Sequence, residues 1–431
     1  MEYIILGGGL AGLSLAHFLN KRTLVLEKEN VLGGLCRSFE LNGIYYDIGP
    51  HILFSKNKDM LNELTLLTET NKIKRSNKIF HKDRFVKYPF ENDLAALDDT
   101  DRDYCVKEFL NNPHENSTPQ NMLQFFLKTF GEGITRLYLE PYNEKIWKFD
   151  PSFMDMQMVE RIPKPPKEDI IKSSKGIQTE GYLHQLYFYY PKSNGIQSLI
   201  SGYRERIKDK AKVMTSTKIT SISKKKDKWV VETDKGSFKG DALINCMPIH
   251  ELFRFLDAPK DVMASLGDLK YNSIYIVALQ AKKDNIGDNF AVTFADKNMI
   301  FHRLSKLNFL GENYCGEDNV STLLIEITYR QDSPLASLSK KEIREKVITD
   351  LEKNGLVSRN DITSVDIKSF RYAYVIYDLG HRNNIDKALD YVLNMGIYSC
   401  GRFAEFEYLN MDKIIEHSYD LARKLNGEDN G

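Results

Sequence analysis

The spacing of apolar positions changes several times along the chain, and each change predicts an element. Ile4-Ile5-Leu6 is a short continuous apolar run, after which Leu13, Leu15, Ala16, Phe18 and Leu19 fall at helical spacing. A second apolar run, Thr23-Leu24-Val25-Leu26, ends on the acid Glu27. The chain therefore opens as β-α-β. Asp59 to Leu67 reads as helix, and Arg84 to Phe90 as an extended aromatic segment. From about 92 to 175 the pattern is helical with polar loops, as in 121–130 and 134–139. Pro163, Pro165 and Pro166 break it, and 164–175 reads as a charged connection. Between 187 and 245 strand patterning returns: 228–233 and 236–239 predict a hairpin, and 241–248 a buried strand. Residues 273–279 and 321–327 predict strands of an antiparallel sheet, and 396–402 a strand meeting a glycine. Met411 to Leu425 reads as a helix, and 427–431 as a frayed tail.

The turn between the first strand and helix carries the chemistry. Gly7-Gly8-Gly9-Leu10-Ala11-Gly12 is G-x-G-x-x-G. Gly7 permits a tight turn, Gly9 lets the backbone approach a pyrophosphate, and Gly12 lets helix and strand pack closely. The pyrophosphate would rest on the helix N-terminus, and Glu27 stands where it can accept ribose hydroxyls. A glycine-rich turn alone is a weak signal. Strand, turn, helix, strand and acid in this order point to a dinucleotide site.

Composition narrows the classes. The chain has 431 residues, enough for two or three subdomains, and its 42% hydrophobic and 28% charged content is that of a folded globular protein. Lys+Arg and Asp+Glu are both 60, so net charge argues against a nucleic-acid partner. Lys224-Lys225-Lys226 reads as a solvated turn. The five cysteines are odd in number and lack metal-ligand spacing, which predicts a reducing compartment and no structural metal. No apolar run approaches the roughly 18 residues of a membrane span, and the first strand starts too early for a signal segment. The expected location is cytoplasmic, without membrane insertion.

Beyond Glu27, the run Gly33-Gly34-Leu35-Cys36-Arg37 resembles the second glycine-rich segment of the flavoprotein group that includes amine oxidases and protoporphyrinogen oxidases. The resemblance implies FAD rather than NAD, with Arg37 near a phosphate. The hairpin-then-strand order at 228–248 is similar to the returning segment of glutathione-reductase-like flavoproteins. The implied fold class is α/β: an FAD-binding Rossmann-like domain, a helical insertion and an antiparallel substrate sheet. The expected divisions are 1–80, 193–250 and 385–431 for the FAD domain, 92–180 for the helical domain, and 81–91, 181–192 and 251–384 for the substrate sheet.

Four segments further resemble one family, the UDP-galactopyranose mutases. They are Gly49-Pro50-His51-Ile52-Leu53-Phe54, Lys87-Tyr88-Pro89-Phe90-Glu91-Asn92, Glu140 to Trp147 with Glu160-Arg161-Ile162-Pro163, and Gly401 to Asp412. The resemblance implies interconversion of pyranose and furanose forms of a UDP-sugar, through an adduct of the sugar with N5 of reduced flavin. Such a role would lie in the synthesis of cell-surface polysaccharide. It implies His51 beside the flavin, Arg303 and the tyrosines Tyr374 and Tyr377 at the substrate diphosphate, and Trp147 at the sugar site. On the cofactor side it implies Gly7, Gly9, Ala11, Gly12, Glu27, Gly33, Gly34, Leu35, Arg37, Gly401, Arg402 and Met411. NAD(P)H is a candidate reductant, and a homo-oligomer remains open. Each candidate also has a structural reading: His51 and Trp147 as core residues, Arg303 at the surface, Arg402 in an ion pair, the tyrosines in sheet packing.

Two departures keep alternatives open. Where the family usually carries another arginine, this chain has Lys164-Pro165-Pro166-Lys167, so either lysine is a candidate replacement. Ser193 to Leu199 is closer to the wider amine-oxidase superfamily than to bacterial mutases. The alternatives are an FAD oxidoreductase of the amine-oxidase or protoporphyrinogen-oxidase type, and a flavin-binding scaffold without turnover.

Overall fold

A strand buried on both faces needs a continuous apolar run, and such strands build the first sheet. In the computed structural model, residues 2–162, 164–179, 186–316 and 320–428 are described, the side chains of Glu160 and Arg161 excepted. Glu2–Leu6, buried from Tyr3 onward, lies parallel to Arg22–Leu26 on one side and to Ala242–Asn245 on the other. Ala211–Met214 and Ile397–Ser399 complete the two edges of this five-stranded parallel sheet. Its strands thus come from both ends and the middle of the chain. The helices Leu10–Phe18 and Met411–Asn426 pack together beside it, where Ser14 Oγ donates to Ser418 Oγ at 2.9 Å. The predicted hairpin is present: Lys228–Thr233 pairs with Gly236–Gly240, and Ile219–Lys225 adds a third strand.

The second sheet has seven strands, in the order Ile362–Val375, Tyr271–Ala281, Ser321–Tyr329, Arg303–Lys306, Ala291–Phe294, Asn77–His81, Arg84–Lys87. It is antiparallel except where Ala291–Phe294 meets Asn77–His81 in parallel. Two segments therefore sit differently from the expected divisions. Asn77–His81 joins the large sheet, with Ile79 buried and the Phe80 ring 5.7 Å from that of Phe294. Tyr187–Pro191 pairs instead with Thr70–Lys74 in a two-stranded ribbon. These pairings join distant parts of the chain, so alternation within each segment does not reveal them.

The helical part comprises Asp99–Leu110, Met122–Ile134, a π-helical turn over Thr135–Leu139, and Glu140–Trp147. The charged connection contains a further helix, Lys167–Ser174. Glu168 and Asp169 occupy its first turn, where acids favour the helix dipole. Ile170 is buried and Ser173 Oγ donates to Glu91 O at 2.7 Å, which anchors the helix. Of the Glu160-Arg161-Ile162-Pro163 segment, Pro163 and the first two side chains lie outside the described residues.

Candidate functional site

At the carboxyl end of the parallel sheet, three glycines meet three different steric demands. Gly7 has φ +108°, a region that favours glycine, and its N–H donates to Leu26 O at 2.8 Å. A Cβ on Gly12 would lie 2.1 Å from Gly7 O, so no side chain fits there. A Cβ on Gly9 would meet nothing closer than Gly34 Cα at 3.8 Å. A side chain at Gly9 would thus be in ordinary contact with the Gly33-Gly34 backbone without clashing, and Gly9 lies at the N-terminus of Leu10–Phe18, which no side chain caps. Uncapped N–H groups at a helix N-terminus suit a pyrophosphate.

The second glycine segment closes on this turn. Gly33 N–H donates to Gly8 O at 2.9 Å. Glu27 braces the same turn, its Oε2 accepting from Gly8 N–H at 2.8 Å and its Oε1 from Glu29 N–H at 2.9 Å. Arg37 Nε donates to Gly34 O at 2.8 Å, and its guanidinium lies 5.9 Å from each of the Phe39 and Phe370 rings. Leu35 is half-buried against the core. Ala11 and Gly401 come together, since a Cβ on Gly401 would lie 2.6 Å from Ala11 Cβ. Met411 is buried as the first residue of the last helix.

A second group gathers where this end of the sheet faces the large sheet. Arg303 donates from Nε and Nη2 to the two carboxylate oxygens of Glu326, at 2.5 and 2.6 Å. Glu326 is 0% exposed, whereas the Arg303 side chain keeps 29% of its surface open. Tyr374 OH donates to the same carboxylate at 3.4 Å. Gly49, two residues before His51, abuts the pair: its Cβ would lie 3.1 Å from Glu326 Oε2. Arg402 lies over two aromatic faces, 4.1 Å from the Tyr408 ring centre and 5.4 Å from that of Tyr374. Tyr374 and Tyr408 stack at 5.7 Å, and Trp147 meets both edge-on at 5.8 and 5.6 Å.

Buried polar atoms mark the place a ligand would fill. Arg402 Nε and Nη2 and His51 Nδ1 are buried without a hydrogen-bond partner. Unpaired buried polar atoms of this kind are costly, so a polar group arriving here would be stabilised. His51 is held down to about 4, by burial first and then by the positive charge of Arg402. It is thus neutral at neutral pH. His302 is also held well below its ordinary value, by burial first and then by Arg303.

These shifts carry a sign. An imidazole whose folded value is depressed takes up protons preferentially when unfolded, so stability is full above about 6.5 and is lost as pH falls from there toward 4. Asp47 and Glu91, pushed up by burial to about 6 and about 7, act in the opposite direction. The informative quantity is therefore the difference between parent and variant. Between pH 7 and 5, His51→Asn is expected to lose about 2 kcal/mol less stability than the parent in urea denaturation. Identical losses would remove His51 from the acid response.

The sequence-predicted residues divide into two groups. His51, Arg303, Trp147, Tyr374 and Arg402 come together. Tyr377 lies apart from them: its OH donates to Glu407 Oε2 at 2.6 Å and accepts from Tyr408 N–H at 2.7 Å, so it holds the backbone that carries Tyr408. Neither candidate lysine is free in this conformation. Lys164 lies 4.8 Å over the Phe125 ring, and Lys167 pairs with Glu115. Sequence reasoning missed Glu326, Tyr408 and Asp47. Asp47 is buried and accepts from Ser38 Oγ and Tyr190 OH, each at 2.7 Å, and from Ile196 N–H at 3.1 Å. Its carbonyl takes Gly49 N–H at 3.0 Å, so it fixes the loop of His51. Glu326 had one available signal, an acid inside the otherwise apolar strand Ser321–Tyr329.

Comparison with known proteins agrees with this layout. Residues 5–64 match the NAD(P)-binding Rossmann-like domain family. A UDP-galactopyranose mutase of Mycoplasma genitalium is 23% identical over 37% of this chain, and the match spans 43% of that protein's length, less than half. A crystal structure of reduced UDP-galactopyranose mutase superposes with TM-score 0.90 at 23% identity, covering 100% of this chain and 96% of the other. A structure assigned as a protoporphyrinogen oxidase, from Exiguobacterium sp. 255-15, superposes with TM-score 0.78 at 16% identity, over 99% of both chains. No helix among the described residues is long and apolar enough to cross a membrane. The likeness is one of fold: over its whole length the chain has the architecture seen in reduced UDP-galactopyranose mutase, with the Rossmann-like family match at its start.

Proposed function

We propose that this chain is a flavin-dependent isomerase that interconverts the pyranose and furanose forms of a UDP-sugar. The observation that carries this reading is the cluster of Arg402, Arg303, Trp147, Tyr374, Tyr408 and His51 beside the dinucleotide turn, with Arg402 donors left unpartnered. FAD would be held by the turn at Gly9, the Gly33-Gly34 segment, and the stretch from Gly401 to Met411. When bound and reduced, flavin supplies a nucleophilic ring nitrogen and is regenerated at the end of each cycle.

The protein's own side chains supply the rest. Arg402 and the open edge of Arg303 place positive charge where a leaving diphosphate gains negative charge. Trp147 and the Tyr374–Tyr408 stack present apolar faces that exclude water from a sugar. His51, neutral at neutral pH, offers a ring nitrogen that can donate or accept without adding charge. Asp47 and Glu326 position these groups from behind.

Incubation with UDP-galactofuranose, with and without dithionite, tests the reading. Pyranose product is expected only with reduced flavin, and no reductant should be consumed per turnover. Hydrogen peroxide formed from an amine or a porphyrinogen, with no sugar isomerisation, would favour the oxidoreductase reading instead. One observation supports that second reading: Glu326 occupies the fork of Arg303, and Glu115 holds Lys167, which leaves fewer free cations for a diphosphate.

A further inference from the structure

The helix Glu140–Trp147 has a second side. Trp147 belongs to the core face of Ile274, Ile276 and Leu324, whereas Leu323, Ile325 and Ile327 point to the opposite face of the large sheet. Near that opposite face, a cleft of about 510 Å³ opens between the helix and Lys340–Lys353. Four lysines line it (Lys145, Lys148, Lys297 and Lys346) against two acids, Glu144 and Asp350. Met299, Ile300 and Leu335 form its apolar wall.

The pairing within the cleft is uneven. Lys297 is matched by Glu144, and Asp350 Oδ2 accepts Ile300 N–H at 2.6 Å. Lys145 is only 5% exposed, yet the sole hydrogen bond of its ammonium among the described residues goes to the carbonyl of Asp296, at 2.6 Å. An ammonium has three donors, and a buried one without a carboxylate is costly. Burial, with Lys148 second, draws Lys145 down to about 7, and burial also lowers Lys148. An arriving dianion would relieve both.

We propose that this cleft binds a small organic phosphomonoester, its phosphate held by Lys145, Lys148 and Lys346 and its organic body against Met299, Ile300 and Leu335. A phosphomonoester carries roughly −1.5 to −2 charge at neutral pH and three acceptor oxygens, which suits a lining with more lysines than acids. Ammonium groups recognise phosphate as point charges and need no fork geometry. None of the residues lining this cleft belongs to the cluster of Arg402 with the rings of Tyr374 and Tyr408, so the two sites should fill independently.

Phenyl phosphate is the probe, titrated calorimetrically into the holoprotein already saturated with UDP. The double variant Lys148→Asn, Lys346→Gln leaves the backbone intact, because Lys148 sits at φ +50°, a conformation asparagine tolerates. Phenyl phosphate should bind the parent more tightly than inorganic phosphate does. The double variant should bind it at least tenfold more weakly, with UDP affinity unchanged. Affinity unaffected by the variant, equal affinity for inorganic phosphate, or binding abolished by UDP would each overturn the proposal. Pyridoxal 5′-phosphate gives a second readout. Its aldehyde condenses with a lysine amine, releasing water, and borohydride reduces the imine to a stable secondary amine. One label per chain, mapped to Lys145 or Lys148, is expected; labels scattered over surface lysines would contradict it.

Discussion

Arg303→Ala is expected to destabilise the fold by about 3–5 kcal/mol, because it leaves a fully buried carboxylate without its partner. Both oxygens of Glu326 are taken by the Arg303 fork, and Glu326 has no exposed surface. The same variant is expected to weaken UDP binding by about 2–5 kcal/mol if the open edge of Arg303 also meets the diphosphate. The two effects need separating, and Arg303→Lys does so. Lysine keeps a positive charge opposite Glu326 but gives up the two-point contact, so it should retain most of the stability and lose affinity for UDP. Urea denaturation reads the first quantity and UDP titration of the reduced protein the second. Parental stability in Arg303→Ala would show that the pair does not hold this region. Parental UDP affinity in Arg303→Lys would transfer the diphosphate to Arg402. Flavin content should be unchanged in the lysine variant, since the proposed contact is to substrate.

The glycines of the dinucleotide turn should fail in two distinguishable ways. Gly12→Val places a Cβ 2.1 Å from a backbone oxygen, and neither the first strand nor the helix can yield that far. A loss of about 3 kcal/mol or more is expected, together with colourless protein. Gly9→Val meets no such obstacle, because the nearest atom to its Cβ is 3.8 Å away. It should fold with near-parental stability yet lose flavin, as its side chain fills the space proposed for the pyrophosphate. Flavin absorbance per chain and the urea midpoint separate the two cases. A yellow Gly9→Val protein at parental stoichiometry would place the cofactor elsewhere.

Legibility followed the range of the interactions. The opening β-α-β unit was readable because its strands are continuous apolar runs and its turn obeys local sterics. The hairpin at 228–240 was readable for the same reason. The helix Lys167–Ser174 was not, because its charges suggested solvent while its anchors, buried Ile170 and the bond from Ser173 to Glu91, come from elsewhere in the fold. The family resemblance places Tyr377 beside Tyr374 at the substrate diphosphate. In the structure it bonds Glu407 and the backbone of Tyr408, while Tyr374 faces Glu326 and Arg402.

Taken alone, the sequence determined the glycine-rich turn and the strands and helices around it. Those features depend on steric and periodic constraints within a few residues of one another. The tertiary structure decided which residues meet and what each is free to do. Arg303 is committed to Glu326, Arg402 keeps unpaired donors over two tyrosine rings, and Asp47 fixes the loop of His51. Each of these facts depends on groups tens to hundreds of residues apart being buried together. Burial makes a partner obligatory, but no spacing along the chain says which partner will be there.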